Sequence, residues 1–456
     1  MRRSVAAPLA CCVLAGLSRP VAAHAGSLSG TFRSAPIPSW LVTVTGASVI
    51  GASFLLTSFL TDHDAIRALN DRGLTLPPAP TLRRCLTRAT RVGGVVTLLA
   101  VLVVAFAGPD AGSANAAVLF VWAGWWAGYT MSVYLVANTW PAIDPWRTLA
   151  RLGPNGVVDY PDRLGPWPAV AGLLVLVFVE VVTPVASAPR LLGAVVLTYT
   201  VVALAGATFV GIDGWFGNVD PIAAVFRYYG RLAPLQWAGD GVSLRTPGAQ
   251  LTKETSPEPA AGTAFVVALL WVTTFDGVVT TPAWESLVGP VVRAGVPALA
   301  VYAVAMFAGF VLFLAVYRGV ARWARRTADT YVSARYLAGW FAPALLPIAA
   351  GYHLAHFLGY FLSLAPSLLA VLGQPFTPPT TVPVAVLPGW FGGLQLALVV
   401  GGHLLAVWVA HSRSFEVFTG HIQPLRSQYP FLAAMVCYTA TSMWIVSQPF
   451  TEPPFL

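Results

Sequence analysis

The chain has 456 residues, of which 57% are hydrophobic and 10% charged, and a net charge of +8. Soluble domains carry about 25% charged residues, so this composition excludes an ordinary soluble fold. All but one of the 26 basic residues are arginine; in so apolar a chain they anchor loops on one side of a membrane rather than grip nucleic acid.

The first 23 residues, MRRSVAAPLACCVLAGLSRPVAA, have the order of a secretory signal: an arginine pair, a short apolar run, then small residues at a cleavage site. Cleavage after Ala23 would leave His24 at the new N-terminus, where amine and imidazole together suit copper. Cleavage after Ala25 would remove it. Residues 24–456 read as a single transmembrane helical domain.

Ten apolar blocks follow, at about 39–60, 92–108, 116–138, 168–184, 190–211, 262–281, 295–317, 338–362, 390–411 and 429–447. A hydrocarbon core of about 30 Å needs about 20 helical residues. The blocks therefore predict an all-α, polytopic transmembrane bundle of about ten spans after a cleavable signal. The short alternating segments of a β-barrel are absent from the pattern. The loops 61–91, 139–167, 212–261, 318–337 and 412–428 hold 20 of the Lys and Arg residues. The intervening loops hold only Arg33, Arg190 and Arg293. Such alternation predicts the basic loops in the cytoplasm of a cell membrane, with mature N- and C-termini outside.

Two of the basic loops share a pattern. DPWRTLARLGP (144–154) and DPIAAVFRYYGRLAPL (220–235) each begin Asp-Pro and pass into an arginine-bearing segment. An aspartate cap followed by proline predicts a short helix, here one lying along the inner interface. The polar stretch 240–261 reads as a mobile loop, and 363–389, which has no charge, as a segment folding back over the outer face. The glycines of GWWAG (124–128) read as close helix packing. The four cysteines, Cys11, Cys12, Cys85 and Cys437, form no C-x-x-C pair, which argues against a disulfide framework or thiolate zinc site.

Ionisable residues inside a bilayer are costly, so each is a functional candidate. Here they are Glu180, Asp276, His353, His356 and His403, with His411 at an inner helix end. The directions of their spans put Glu180, Asp276, His353 and His356 in the outer half. His353 and His356 share one helix face, and burial against the next span would let His403 join them. Imidazole with carboxylate suits a divalent transition metal such as zinc or copper. Haem ligation by His353 and His403 is a lesser alternative, and hydrogen bonding between helices needs no ligand at all.

Several stretches resemble membrane proteins of the fenitrothion hydrolase type: HAGSLSGTFRSAPIPSWL (24–41), YPDRLGPWPAVAGLLVLVFVEVV (160–182), TTFDG (273–277), AHFLGYFLSL (355–364), GGHLLAVWVAHSRSF (401–415) and SQYPFLAAMVCYTATSMW (427–444). They follow in order along nearly the whole mature chain. The resemblance implies a polytopic component of an organophosphate-hydrolysing system that works with partner membrane subunits. It carries over His24, Asp276, His356, His403 and His411, but not His353. Ser412 departs from the pattern, which has an acidic residue after the histidine of AHSRSF.

Two functions follow as expectations. In one, a metal held by histidines at an outer-half site activates water against an apolar phosphotriester, with Asp276 or Glu180 as ligand or general base. In the other, the same polar residues serve a non-enzymatic transporter or a copper- or zinc-handling subunit.

Overall fold

Each of the ten apolar blocks forms a helix in the structure, a computed structural model that describes residues 38–77, 80–154, 156–238, 241–377 and 381–456. The signal segment and His24 lie outside the described residues. The spans are α1 (Ser39–Thr57), α3 (Pro80–Ala107), α4 (Ala116–Leu135), α6 (Trp167–Val182), α7 (Pro189–Val210), α9 (Ala260–Val279), α11 (Ala298–Thr327), α12 (Ala334–Gly373), α13 (Phe391–Val417) and α14 (Ile422–Ser447). Shorter helices lie between them: α2 (His63–Asp71), α5 (Pro145–Ala150), α8 (Pro221–Tyr229) and α10 (Pro282–Arg293). Among the described residues, nine helices are long and apolar enough to cross a membrane. The tenth, α6, has 16 residues and reaches only about 24 Å at 1.5 Å per residue. Large side chains such as Leu56, Phe59 and Val311 stand exposed on the outside of the bundle. That surface needs lipid around it, so the chain is a multi-pass membrane protein.

The arginine-bearing loops gather at one end. Arg67 pairs with Glu416 at 2.8 Å, Lys253 with Asp71 at 2.5 Å, and Thr327 Oγ1 donates to the Arg426 carbonyl. At the opposite, far end, Thr451 N donates to Thr280 O and Tyr302 OH to Pro454 O. The C-terminal segment thus closes the end away from the basic loops, as the alternating charge requires.

The expected mobile loop is built into this basic end. Strand β1 (Gly73–Leu76) pairs antiparallel with β3 (Gly241–Arg245), which pairs antiparallel with β2 (Leu235–Ala238). Beyond the sheet, Arg413 reaches in from α13. Its Nε donates to Trp340 O at 2.6 Å and its Nη1 to Leu251 O at 2.5 Å. At the far end, α12 runs to Gly373, well past the apolar block that defined it. The charge-free segment after it folds back, with Ala385 N on Ser363 O and Ser367 Oγ on Pro383 O.

Both Asp-Pro helices form as predicted, because local capping chemistry suffices. Arg147 N donates to Asp144 Oδ1 at 3.0 Å, and Ala223 N to Asp220 Oδ1 at 2.7 Å. Their position differs from expectation. Trp146, Val225, Phe226 and Tyr229 are buried, so α5 and α8 plug into the bundle instead of lying on its interface. Small residues set the closest helix approach. A Cβ added to Gly351 of α12 would stand 2.8 Å from the Gly402 Cα of α13, so this crossing depends on two glycines.

Candidate functional site: an aromatic cavity with a carboxylate–histidine wall

A cavity of about 560 Å³ runs along the bundle between α3, α4, α6, α7, α8, α9 and α12. Ligand pockets typically measure about 300–1,000 Å³. It extends from Glu180 on α6 toward Thr90, Pro145 and Pro221 near the basic end. Gly93 of α3 borders it and is exposed, so the cavity opens through the side of the bundle.

The aromatic wall was not anticipated. Residues Phe120–Tyr129 of α4 form a π-helix, a wider turn that recurs at functional sites. Its glycines do pack closely, as read from GWWAG. A Cβ on Gly124 would meet Leu368 and one on Gly128 would meet Phe361, both on α12. The side chains between and beside them, Trp122, Trp125, Trp126 and Tyr129, line the cavity. The signal was the aromatic content of the run, which a packing explanation leaves unused.

Few polar groups enter this wall, and Glu180, Asp276 and His353 are among them. Asp276 sits near the far end of α9, about one turn before Thr280. Behind it stands His356 of α12, its Nε2 3.5 Å from Asp276 Oδ2. Tyr352 stacks on the His356 ring at 6.1 Å and 10°. Gly277 makes that placement feasible, since any Cβ there would collide with the Tyr352 hydroxyl. His353 is buried, with Nδ1 3.1 Å from Tyr134 OH. Its ring packs against Trp126, Tyr229 and Phe357, and its Nε2 has no hydrogen-bond partner. A buried unpaired ring nitrogen is costly, and here it belongs to a residue bordering the cavity.

The remaining histidines do not join them. His403 is fully buried, but its Nδ1–H donates to Val399 O of its own helix at 2.8 Å and its ring packs on Tyr438. His411 Nε2–H donates to Leu60 O at 2.8 Å, tying α13 to the end of α1. Ser412 beside it is buried. Among the described residues no three His, Cys, Asp or Glu side chains are placed to hold a metal together. The expected ligand set of His353, His356, His403 and His411 is therefore not assembled. His403 Nδ1 is thus committed to its own helix, while its Nε2, like that of His353, has no hydrogen-bond partner. No family model, curated protein or solved structure matches the chain.

Proposed function

We propose that this protein is a membrane-embedded hydrolase of a small, neutral, apolar ester that enters the cavity from the bilayer. The observation that supports this reading is the polar wall: Asp276 backed by His356 at 3.5 Å, beside an imidazole with an unpaired nitrogen, in an otherwise apolar pocket. A pocket of this kind with few convergent polar groups is the usual form of a small-molecule site. In this reading Asp276 takes a proton from the water that attacks the ester centre, and His356 steadies the carboxylate. Tyr134 donates to His353 Nδ1, leaving Nε2–H to donate to the oxygen on which charge develops. The products are an acid and an alcohol or phenol. Glu180 marks the far end of the site. The resemblance to fenitrothion hydrolase-type proteins supports a phosphotriester as one such ester. With the basic loops read as cytoplasmic, this reading has Asp276 and Glu180 facing the outer leaflet.

The elongated cavity favours a second reading, a carrier that binds the same molecule and passes it along the bundle. One experiment separates the two. Purified protein in nanodiscs is mixed with a dialkyl p-nitrophenyl phosphate, and nitrophenolate release is followed beside an Asp276→Asn control. Saturable release that the control lacks supports hydrolysis. Binding without release in both proteins would sink it and leave the carrier.

A further inference from the structure

The duplicated Asp-Pro motif has no part in the chemistry above, yet both copies end at the same cavity. Pro145 and Trp146, just after Asp144, line its basic end, as do Pro221 and Ile222, just after Asp220. Each aspartate is only 2% exposed, although a charged carboxylate is rarely buried so far without a cation against it. No arginine makes a direct ion pair with either one among the described residues; Arg147 instead reaches Asp213 at 3.8 Å. One oxygen of each is used by its helix cap. The other oxygen of Asp220, Oδ2, is fully buried, and the Tyr199 hydroxyl and Trp215 indole N–H are the side-chain groups that reach the Asp220 carboxyl. Those two groups face the Asp220 carboxyl from α7 and from the turn before α8.

We propose that Asp144 and Asp220 form a proton-binding site at the basic end of the cavity, with Asp220 Oδ2 holding a proton among Tyr199 and Trp215 and Asp144 exchanging one with the side of the basic loops. With no cation against either carboxyl, a bound proton removes the cost of burying the charge, and a protonated Asp220 can donate to the Tyr199 oxygen beside it. Helix capping by the other oxygen survives protonation of the first. Burial chiefly pushes Asp144 up to about 7, with the Asp220 charge adding to the rise and the backbone N–H and charge of Arg147 opposing it. Burial likewise pushes Asp220 up, against the Ala223 and Ile222 backbone N–H groups, the Tyr199 hydroxyl and the Trp215 indole N–H. The other groups facing the pair are Tyr129 from α4, Tyr199 from α7, Arg147 from α5 and Arg151 just after it. Proton occupancy then sets the charge at one end of an apolar cavity. That end is neutral when Asp144 is protonated and anionic when it is not.

Infrared difference spectra across pH test this through the C=O band of protonated carboxyl groups, using the full chain in nanodiscs. Asparagine caps helices as well as aspartate does, so Asp144→Asn and Asp220→Asn keep the fold while removing the proton sites. Wild type should show a component that fades with a midpoint near 7 and is lost in Asp144→Asn. A second protonated-carboxyl component should be lost in Asp220→Asn. Asp276→Asn and Glu180→Gln should leave both in place, which keeps this result independent of the hydrolase reading. Survival of both components in the two Asp-Pro variants overturns the site. So does their loss in Asp276→Asn or Glu180→Gln, or a wild type with no protonated carboxyl band near neutral pH.

Discussion

His356 Nε2 lies 3.5 Å from Asp276 Oδ2, and Asp276, not His356, borders the cavity. The carboxylate therefore meets the ligand while the imidazole supports it from the second helix. This order predicts unequal effects. Asp276→Asn should lower ester turnover by about 10²–10⁴-fold, the usual range for a general base. His356→Gln retains a hydrogen-bonding group and should lose less, mainly through a changed pH profile. Equal losses in both, with flat profiles, would mean that the pair is structural.

His353 and His403 offer a sharper contrast, because both are buried imidazoles with one nitrogen bonded. Only His353 borders the cavity. His353→Gln should abolish turnover. His403→Gln should leave turnover unchanged while lowering thermal stability, by about 1–3 kcal/mol as for other disturbed buried polar contacts. Metal content should be the same in His403→Gln as in wild type. A loss of bound metal in that variant would restore the histidine-ligand site.

The spans were legible in the sequence because lipid demands length and apolarity, and both are written residue by residue. The Asp-Pro helices were legible because a cap is local. What the sequence could not show depended on how helices turn toward each other. His403 shares the apolar setting of His356, but its Nδ1 bonds to Val399 of its own helix, while His356 meets Asp276 of α9. The π-helix at Phe120–Tyr129 leaves no periodic mark in so uniformly apolar a run. The strand Gly73–Leu76 is four residues long, too short for alternation to be read, and takes its shape from pairing with Gly241–Arg245.

Adjacent glycines on α3 should respond in opposite ways. A Cβ on Gly93 meets nothing within 4 Å, and the residue borders the cavity mouth. Gly93→Leu should fold well, since leucine suits a helix better than glycine by up to about 1 kcal/mol. It should also obstruct the cavity and weaken ester binding by at least about tenfold, which takes only ~1.4 kcal/mol. A Cβ on Gly94 would collide with the Ile143 carbonyl, so Gly94→Ala should lower the melting temperature. Binding assays beside thermal unfolding in detergent check both. Unchanged binding in Gly93→Leu would rule out entry at this mouth.

The buried aspartates give stability a pH dependence of defined sign. Both are raised above the ordinary carboxylate value, Asp144 to about 7. Below about 4 folded and unfolded chains both hold the protons, and nothing is gained or lost. Between about 4 and 7 the folded chain keeps protons that the unfolded chain has released, so stability falls as pH rises. Asp62 and Asp71 are lowered, by backbone N–H groups and by Lys253. Their contribution is lost only below about 4, outside that window. The difference in melting temperature between wild type and Asp144→Asn should therefore decline from about pH 5 to pH 7. A difference that rises over this range would contradict the placement of the pair.

Arg413 holds the basic end together, and its removal should loosen one segment in particular. Its side chain is 0% exposed. It donates to Trp340 O and Leu251 O, lies 3.5 Å from Glu254 and packs 4.4 Å over the Trp340 ring. Those contacts join α13, α12 and the linker between α8 and α9. Arg413→Ala would strand two buried carbonyls and leave Glu254 with Arg231 alone, 3.4 Å away. Breaking a buried charge network from one side costs about 3–5 kcal/mol. Arg413→Lys should recover only part of this, because an ammonium cannot present the guanidinium fork to both carbonyls. Arg231 still holds Glu254 and Glu258, so the linker should remain anchored at those two residues and loosen around residues 246–253. Limited proteolysis of the nanodisc-embedded protein should then cut near Lys253 in Arg413→Ala and not in wild type. Thermal unfolding should rank wild type above Arg413→Lys and Arg413→Lys above Arg413→Ala. Equal stability of the two variants would show that the positive charge alone, and not the fork, secures this end.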